Sequence, residues 1–261
     1  MAKDPIIIKN AEQIEGIRKS SKLAALCLKH IAAFVKEGVN TAWLDKIIDE
    51  FIRDNGAVPA TLNYNGFPRS CCISPNEIVC HGIPSDKIVL REGDIVNIDV
   101  TTILNGYFGD TSTMFTIGEI SDKAKHLIDV AKKSLNTGIY ICYPGNMTGN
   151  IGFEINRFAR THGCSVVFEY CGHGVGLRFH EPPEILHTAD KNSGVKMTPG
   201  MIFTVEPMIN LGKARTFVDK EDKWTVRTID RKLSAQFEHT ILITSTGHEV
   251  LTDIDNEYSI T

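Results

Sequence analysis

The chain has 261 residues, 42% hydrophobic and 23% charged, which fits a globular protein of one large or two small domains and excludes disordered, collagen-like and fibrous chains. Lys and Arg number 28 against 32 Asp and Glu, a net charge of −4, so no overall basic field points to nucleic acid. No apolar run reaches membrane-span length, and the opening MAKDPIIIKNAEQ has no signal-peptide core. The seven cysteines, irregularly spaced and without a CxxC pair, read as reduced thiols of a cytoplasmic protein.

Residues 10–36 place Ile14, Ile17, Ala24, Leu28, Ile31 and Val35 at helical spacing. A second helix is expected from Thr41, as N-cap, to Asn55, with Gly56 just past its end. Shifting the sequence by 107 residues lays Gly38, Thr41, Ile48, Phe51, Arg53 and Gly56 on Gly145, Thr148, Ile155, Phe158, Arg160 and Gly163, six identities in nineteen positions. The same offset carries Gly93 and Ile95 onto Gly200 and Ile202, and Asp99 onto Glu206. The expectation is a single domain over 1–261 built of two similar halves, roughly 10–120 and 121–250, with an extra stretch near 212–232 in the second.

The segment 95–101 alternates: Val96, Ile98 and Val100 take one face, Asn97, Asp99 and Thr101 the other. Asn105-Gly106 is a strong hairpin signal. With those two as the turn, Thr101 pairs with Asp110, and Asp110 lies diagonal to Asp99 on the same face, roughly 7–8 Å away at Cα. In the second half Ile202, Thr204 and Glu206 share a face, as do Gln236, Glu238 and Thr240. Two halves about a pseudo-twofold axis would bring Asp99, Asp110, Glu206 and Glu238 together. A like-charged pair 4 Å apart costs about 4 kcal/mol at an effective dielectric of 20, so protons or cations must compensate. Two divalent cations would neutralise four carboxylates, and hard oxygen donors suit manganese, iron(II) or cobalt.

Histidines complete the set: His173 in Cys171-Gly172-His173-Gly174-Val175-Gly176, His180 in His180-Glu181-Pro182-Pro183, and His81 in Cys80-His81-Gly82-Ile83-Pro84. The glycine loop at 172–177 is not a dinucleotide fingerprint, because its third glycine and a preceding βαβ frame are missing. Cys71 and Cys72 would point to opposite sides of a strand, which argues against a zinc site with Cys80. No HExxH, GxSxG or P-loop occurs.

The motifs CHGIP (80–84), GDIVNIDV (93–100), GYFGDTSTMF (106–115), CGHGVG (171–176), FHEPP (179–183), TVEPM (204–208) and SAQFEHT (234–240), in this order and spacing, resemble those of the type I methionine aminopeptidases over nearly the whole chain. Without a zinc-finger extension or the large insertion of the type II enzymes, it is most similar to the short bacterial form. The resemblance implies the α/β (α+β) pita-bread fold: pseudo-twofold halves around a mainly antiparallel central sheet covered by helices. It implies a hydrolase that removes the initiator methionine ahead of a small second residue.

By the same resemblance Asp99, Asp110, His173, Glu206 and Glu238 hold two divalent metal ions, with Asp110 and Glu238 bridging, Asp99 on one ion, and His173 and Glu206 on the other. The ions would acidify a water towards a pKa of ~7, anchor the substrate amine and polarise the scissile carbonyl. Glu206 would transfer protons, His81 and His180 would contact the substrate amide, and Thr101 would support the Asp99 side. Tyr64, Cys72, Phe179 and Trp224, with His81 and His180, would receive the methionyl residue. Thr61 and Phe67, where Cys and Tyr are frequent, are expected on the pocket rim. Asn76, Ile78 and Ser234 match a monovalent-cation loop. Expected partners are peptide and nascent-chain N-termini, with ribosome association, no direct nucleic-acid or membrane recognition, and a monomeric state. Two alternatives share the fold: a proline-type peptidase, and an interaction protein with a decayed metal site.

Overall fold

The computed structural model describes residues 5–255 and 257–258. Helix α1 spans Ala11–Ile31, with Ile17, Ala24, Leu28 and Ile31 buried along one stripe. Asn10 and Gln13 form a capping box at its start, each side chain accepting the other's backbone N–H. The helix stops five residues short of the expected end, and Phe34 and Val35 pack against the core from the turn beyond it. Helix α2 covers Thr41–Asp54, and its cap is Asn40, whose side chain accepts the Trp43 N–H at 2.8 Å. The expected cap, Thr41, instead exchanges hydrogen bonds with Ser85, accepting its N–H at 2.8 Å and donating to its carbonyl at 3.1 Å.

Helices α3 (Asp122–Tyr140) and α4 (Gly149–Thr161) occupy the second half, α4 lying over the residues that the 107-residue offset matches to α2. The glycines related by that offset have like backbones, with φ of 81° and 92° at Gly38 and Gly145, 73° at both Gly56 and Gly163, and 90° and 88° at Gly93 and Gly200. Among the described residues the two larger of four apolar clusters lie one under α1 and α2 and the other under α3 and α4. Among the described residues no helix is long and apolar enough to cross a membrane.

Among the described residues every strand pairing is antiparallel. Ile95–Leu104 and Tyr107–Thr116 form a hairpin whose ladder runs unbroken from Ile95–Thr116 to Leu104–Tyr107. Its turn residues Asn105 and Gly106 both have positive φ, 52° and 84°, the conformation that matches the twist of the flanking strands. Thr101 lies opposite Asp110 and Asp99 opposite Ser112, the expected register. Val58–Pro59 and Cys72–Pro75 pair along the other edge of Ile95–Leu104.

A five-stranded sheet runs in the order His248–Val250, His239–Ile243, Ile202–Val205, Gly172–Gly174, Glu181–Ile185. A second sheet joins Ser234–Gln236, Met208–Asn210 and Ser165–Val166; a third joins Thr216–Val218, Val226–Thr228 and Ile78–Cys80. The expected alternation through Gln236, Glu238 and Thr240 is therefore interrupted: Gln236 pairs with Met208 in one sheet and His239 with Val205 in another. Glu206-Pro207 forms the matching break, where proline supplies no ladder N–H. Glu238, in its break, donates its N–H to the Ser112 carbonyl at 3.1 Å and so ties the five-stranded sheet to the first-half hairpin. The extra stretch 212–232 folds as the hairpin Thr216–Val218/Val226–Thr228, which leans on Ile78–Cys80.

Candidate active site

The first-half hairpin presents Asp99 and Asp110 on one face, and Thr101 donates to Asp110 Oδ1 at 2.7 Å. Thr101 thus supports Asp110, not the Asp99 side as expected, because the register sets it directly opposite Asp110. Thr240 Oγ1 donates to the Asp110 carbonyl at 2.7 Å and Thr111 Oγ1 to the Glu238 carbonyl at 2.7 Å. These bonds cross between the halves and fix the acids of one against those of the other.

His173 comes from the short strand Gly172–Gly174, squeezed between Ile202–Val205 and Glu181–Ile185. A Cβ at Gly172 would stand 2.4 Å from the Thr204 carbonyl oxygen, and one at Gly174 would stand 2.3 Å from that of Pro182. Glycine on both sides is what admits the strand, leaving one side chain to reach the acids. His173 Nδ1 lies 3.0 Å from the Gly174 carbonyl, which can only accept, so Nδ1 carries the proton and Nε2 presents a lone pair. That Nε2 faces Asp110 Oδ2 and Glu206 Oε1, each at 3.6 Å.

Ligand atoms of Asp110, His173 and Glu238 lie within 4.8 Å of one another. Glu206 is held beside them by Thr204 Oγ1, donating to Oε1 at 2.6 Å, and by Gln236 Nε2, donating to Oε2 at 3.2 Å. Its backbone N–H donates to His187 Nε2 at 3.1 Å. Burial raises Asp99, Asp110, Glu206 and Glu238 above the ordinary carboxylate range, and the charge of Asp110 adds to the rise at the other three. Burial holds the His173 pKa down at about 3, so its imidazole is neutral.

This donor set fits divalent metal. Glu238 Oε2 is buried without a hydrogen-bond partner, and a neutral imidazole aims its lone pair at two carboxylates. Such an arrangement is repulsive unless protons or a cation lie among the groups, and the unpartnered Glu238 oxygen together with the imidazole lone pair suits a cation. Oxygen donors with one imidazole match the preference of manganese, iron or cobalt.

The acids floor a cavity of about 930 Å³ that all five candidate ligands line. Tyr64, Cys72, His81, Phe179, His180 and Trp224 form its walls. Phe179 packs on Tyr64 with ring centroids 4.7 Å apart, and Cys71 turns the other way, its thiol donating to Asp45 at 3.4 Å. His180 Nδ1 lies 2.8 Å from the Tyr64 hydroxyl. Burial lowers His81 and His180 to about 4 each, with their mutual proximity adding at His81. His81 itself sits at φ 55°, a left-handed backbone rare for a residue with a side chain. Thr61 and Phe67 are not on the rim: they are 7% and 1% exposed and belong to the wall, Phe67 edge-on to Trp224 at 5.3 Å. Asn76, Ile78 and Ser234 stand outside the cavity lining; the Asn76 carbonyl accepts the Ser234 N–H at 2.9 Å.

Sequence patterns give no sign of His187, and they mark Thr204 and Gln236 only by strand parity. Nothing local marks the bonds of His187 and Gln236 to Glu206, which join residues 19 and 30 apart in sequence. A buried cation, Lys9, was also missed; it donates to Glu181 in the cavity wall.

Residues 15–245 match the metallopeptidase family M24. The chain is 48% identical to the methionine aminopeptidase of Escherichia coli (strain K12) over 248 residues, covering 95% of this chain and 94% of that protein. The crystal structure of methionine aminopeptidase from Rickettsia prowazekii superposes with a TM-score of 0.93 at 47% identity, over 95% of this chain and all of that one. The Thermotoga maritima methionine aminopeptidase does so at 0.93 and 35%, over 95% of this chain and 99% of that one. A metallopeptidase is therefore the class that the fold and the acids define, and the chain belongs to family M24, among the methionine aminopeptidases. Its pita-bread fold is the one the resemblance implied, and membership makes it a metal-dependent aminopeptidase.

Proposed function

We propose that this chain removes the N-terminal methionine from peptides and nascent proteins whose second residue is small, with Asp99, Asp110, His173, Glu206 and Glu238 holding two divalent ions. The observation that carries this reading is the gathering of Asp110, His173 and Glu238 ligand atoms on the floor of a cavity walled by Tyr64, Phe179 and Trp224. Divalent ions held there would supply Lewis acidity, acidifying a water and polarising the scissile carbonyl.

The chain's own residues do the rest. Glu206, its pKa raised by burial and its two oxygens held by Thr204 and Gln236, is placed to take and return a proton during peptide-bond cleavage. The Tyr64 hydroxyl lies 2.8 Å from His180 Nδ1; donating there, it would leave the His180 proton on Nε2 to donate to the oxygen that gains charge at the scissile carbonyl. His81, neutral at pH 7, offers a second imidazole to the same amide. Apolar and aromatic walls receive the methionyl thioether, each sulfur–ring contact contributing about 0.3–1.5 kcal/mol. Residues 10–120 and 121–250 act as two halves of one catalytic unit. A monovalent cation at Asn76, Ile78 and Ser234, a cytoplasmic location, a monomeric state and work at ribosome-borne N-termini complete the reading.

The test is kcat/KM on Met-Ala-Ser, Lys-Ala-Ser, N-acetyl-Met-Ala-Ser and Met-Lys-Ser with Mn²⁺ or Co²⁺ present. Only the first is expected to turn over well. Comparable cleavage of the Lys peptide would reject the pocket, since its ammonium would be buried unpaired. Cleavage of the acetylated peptide would reject recognition of a free amine.

A further inference from the structure

The extra stretch 212–232 ends in a tip, residues 219–225, that delivers Trp224 to the cavity. There the indole meets Phe67 edge-on at 5.3 Å and His81 at 6.0 Å between ring centroids. One side chain thus touches both the wall of the methionine pocket and a histidine of the site. Of the tip's residues, Trp224 is the one that lines the cavity, and the tip is held by its own hydrogen bonds.

The centre of that network is Asp222. Its Oδ1 accepts the N–H groups of Trp224 and Thr225, each at 2.8 Å, and its Oδ2 accepts the Thr225 hydroxyl at 2.6 Å. The Asp219 N–H donates to the Thr225 carbonyl at 2.8 Å and the Lys223 N–H to the Asp219 carbonyl at 2.9 Å, closing the tip at its base. Lys223 takes φ 61°, so the chain reverses immediately before Trp224. A carboxylate accepting three donors is a strong anchor, and it grips the backbone on both sides of the indole.

We propose that Asp222 is a positioning residue for the methionine pocket: it holds Trp224 against Phe67 and His81 before substrate arrives, and so sets affinity and selectivity for the methionyl side chain. This rests on the function proposed above. A tip left free would have to be ordered at each binding event, and that cost would come out of affinity; a tip held beforehand avoids it. The effect therefore belongs in KM, with the chemistry at the acids untouched.

The experiment uses the full chain loaded with Mn²⁺. Asp222→Ala is expected to raise KM for Met-Ala-Ser about 10-fold with kcat within about 2-fold, and Asp222→Asn, whose Oδ1 still accepts both N–H groups, to recover most of the loss. A second readout needs no turnover. The chain has two tryptophans, so in a Trp43→Phe background Trp224 alone fluoresces. There Asp222→Ala should shift emission to the red and increase acrylamide quenching, and Asp222→Asn should not. Unchanged KM and quenching in Asp222→Ala, or a fall in kcat at constant KM, would overturn the proposal. If Asp222→Ala does not fold, Thr225→Val, which removes one donor, carries the test: it should raise KM less, and no rise overturns it. Failure of the unsubstituted chain to cleave Met-Ala-Ser, with the quenching change present, would strike the proposed function and leave the grip of Asp222 on Trp224 standing.

Discussion

Asp110 and His81 face one cavity, yet different forces set their roles. Asp110 meets Thr101, His173 and the second-half acids, so its carboxylate belongs to the proposed metal set. His81 touches the rings of Tyr170 and Trp224 and belongs to the substrate side. Asp110→Asn keeps the acceptor for Thr101 but loses the charge; metal content and activity should fall together, activity by more than about 100-fold, since even outer partners of metal ligands matter 10–100-fold. His81→Ala should keep its metal and lose rate, by about 100-fold or more. Equal metal loss in both variants, measured by atomic absorption, would show His81 to be misassigned. His81 also marks the acid side of stability. Its folded pKa of about 4 lies below the ordinary 6.5, so between those values the unfolded chain binds the extra proton and stability falls as pH drops. The melting temperature should fall from pH 7 to pH 5, and by less in His81→Gln; an equal fall in both would refute the buried neutral imidazole. At this scale the sequence is legible where a period governs. Asp99 and Asp110 follow from period two and the Asn-Gly turn. Thr61 and Phe67 do not, because whether a residue lies on a rim or in a wall depends on the segment that folds over it, as the hairpin bearing Trp224 does over Phe67.

Helix α1 crosses the hairpin strand Tyr107–Thr116 at Gly109, where a Cβ would stand 2.2 Å from the Ser21 backbone nitrogen. Ser20 and Thr102 pin the crossing, each hydroxyl donating to the other's carbonyl at 3.0 Å. Helix backbone cannot yield as a flexible side chain does. Gly109→Ala should therefore cost about 1–3 kcal/mol, read as a lower melting temperature, and should reduce kcat/KM as well because Asp110 is the next residue. A normal melting curve with normal activity would mean that the helix slides freely over the hairpin. Elements with strong local signals were legible: the amphipathic stripe of α1, the end of α2 before Gly56, the hairpin turn. The breaks at Glu206-Pro207 and Phe237-Glu238 were not, although alternation named the right two acids. Parity identifies which side chains share a face; it does not show that the chain changes sheets between them. The same limit hid the bonds of His187 and Gln236 to Glu206, which join segments that no local pattern relates.

Across the whole molecule, the acids of the two halves face each other at a seam tied by Thr240 to Asp110 and by Thr111 to Glu238. Without cations the seam sets like charges together in a buried place. Chelation should lower the melting temperature and Mn²⁺ or Co²⁺ should restore it, by about 2.7 kcal/mol at a hundred times the dissociation constant. A melting curve indifferent to that cycle would show that the acids share no ion. The duplicated plan was visible in the 107-residue offset, because equivalent helix ends demand the same glycines. How the halves join was not, since that join is made of bonds such as Thr240 to Asp110 and Glu238 to Ser112, far apart in sequence.

That join also sets an order of events during synthesis. Asp99 and Asp110 leave the ribosome early, whereas Glu238 follows Asp110 by 128 residues, about 6–26 s later at 5–20 residues per second. Throughout that interval the growing chain has half a ligand set and nothing to close the seam. An enzyme whose proposed work is on newborn chains thus lacks a complete site while it is one itself.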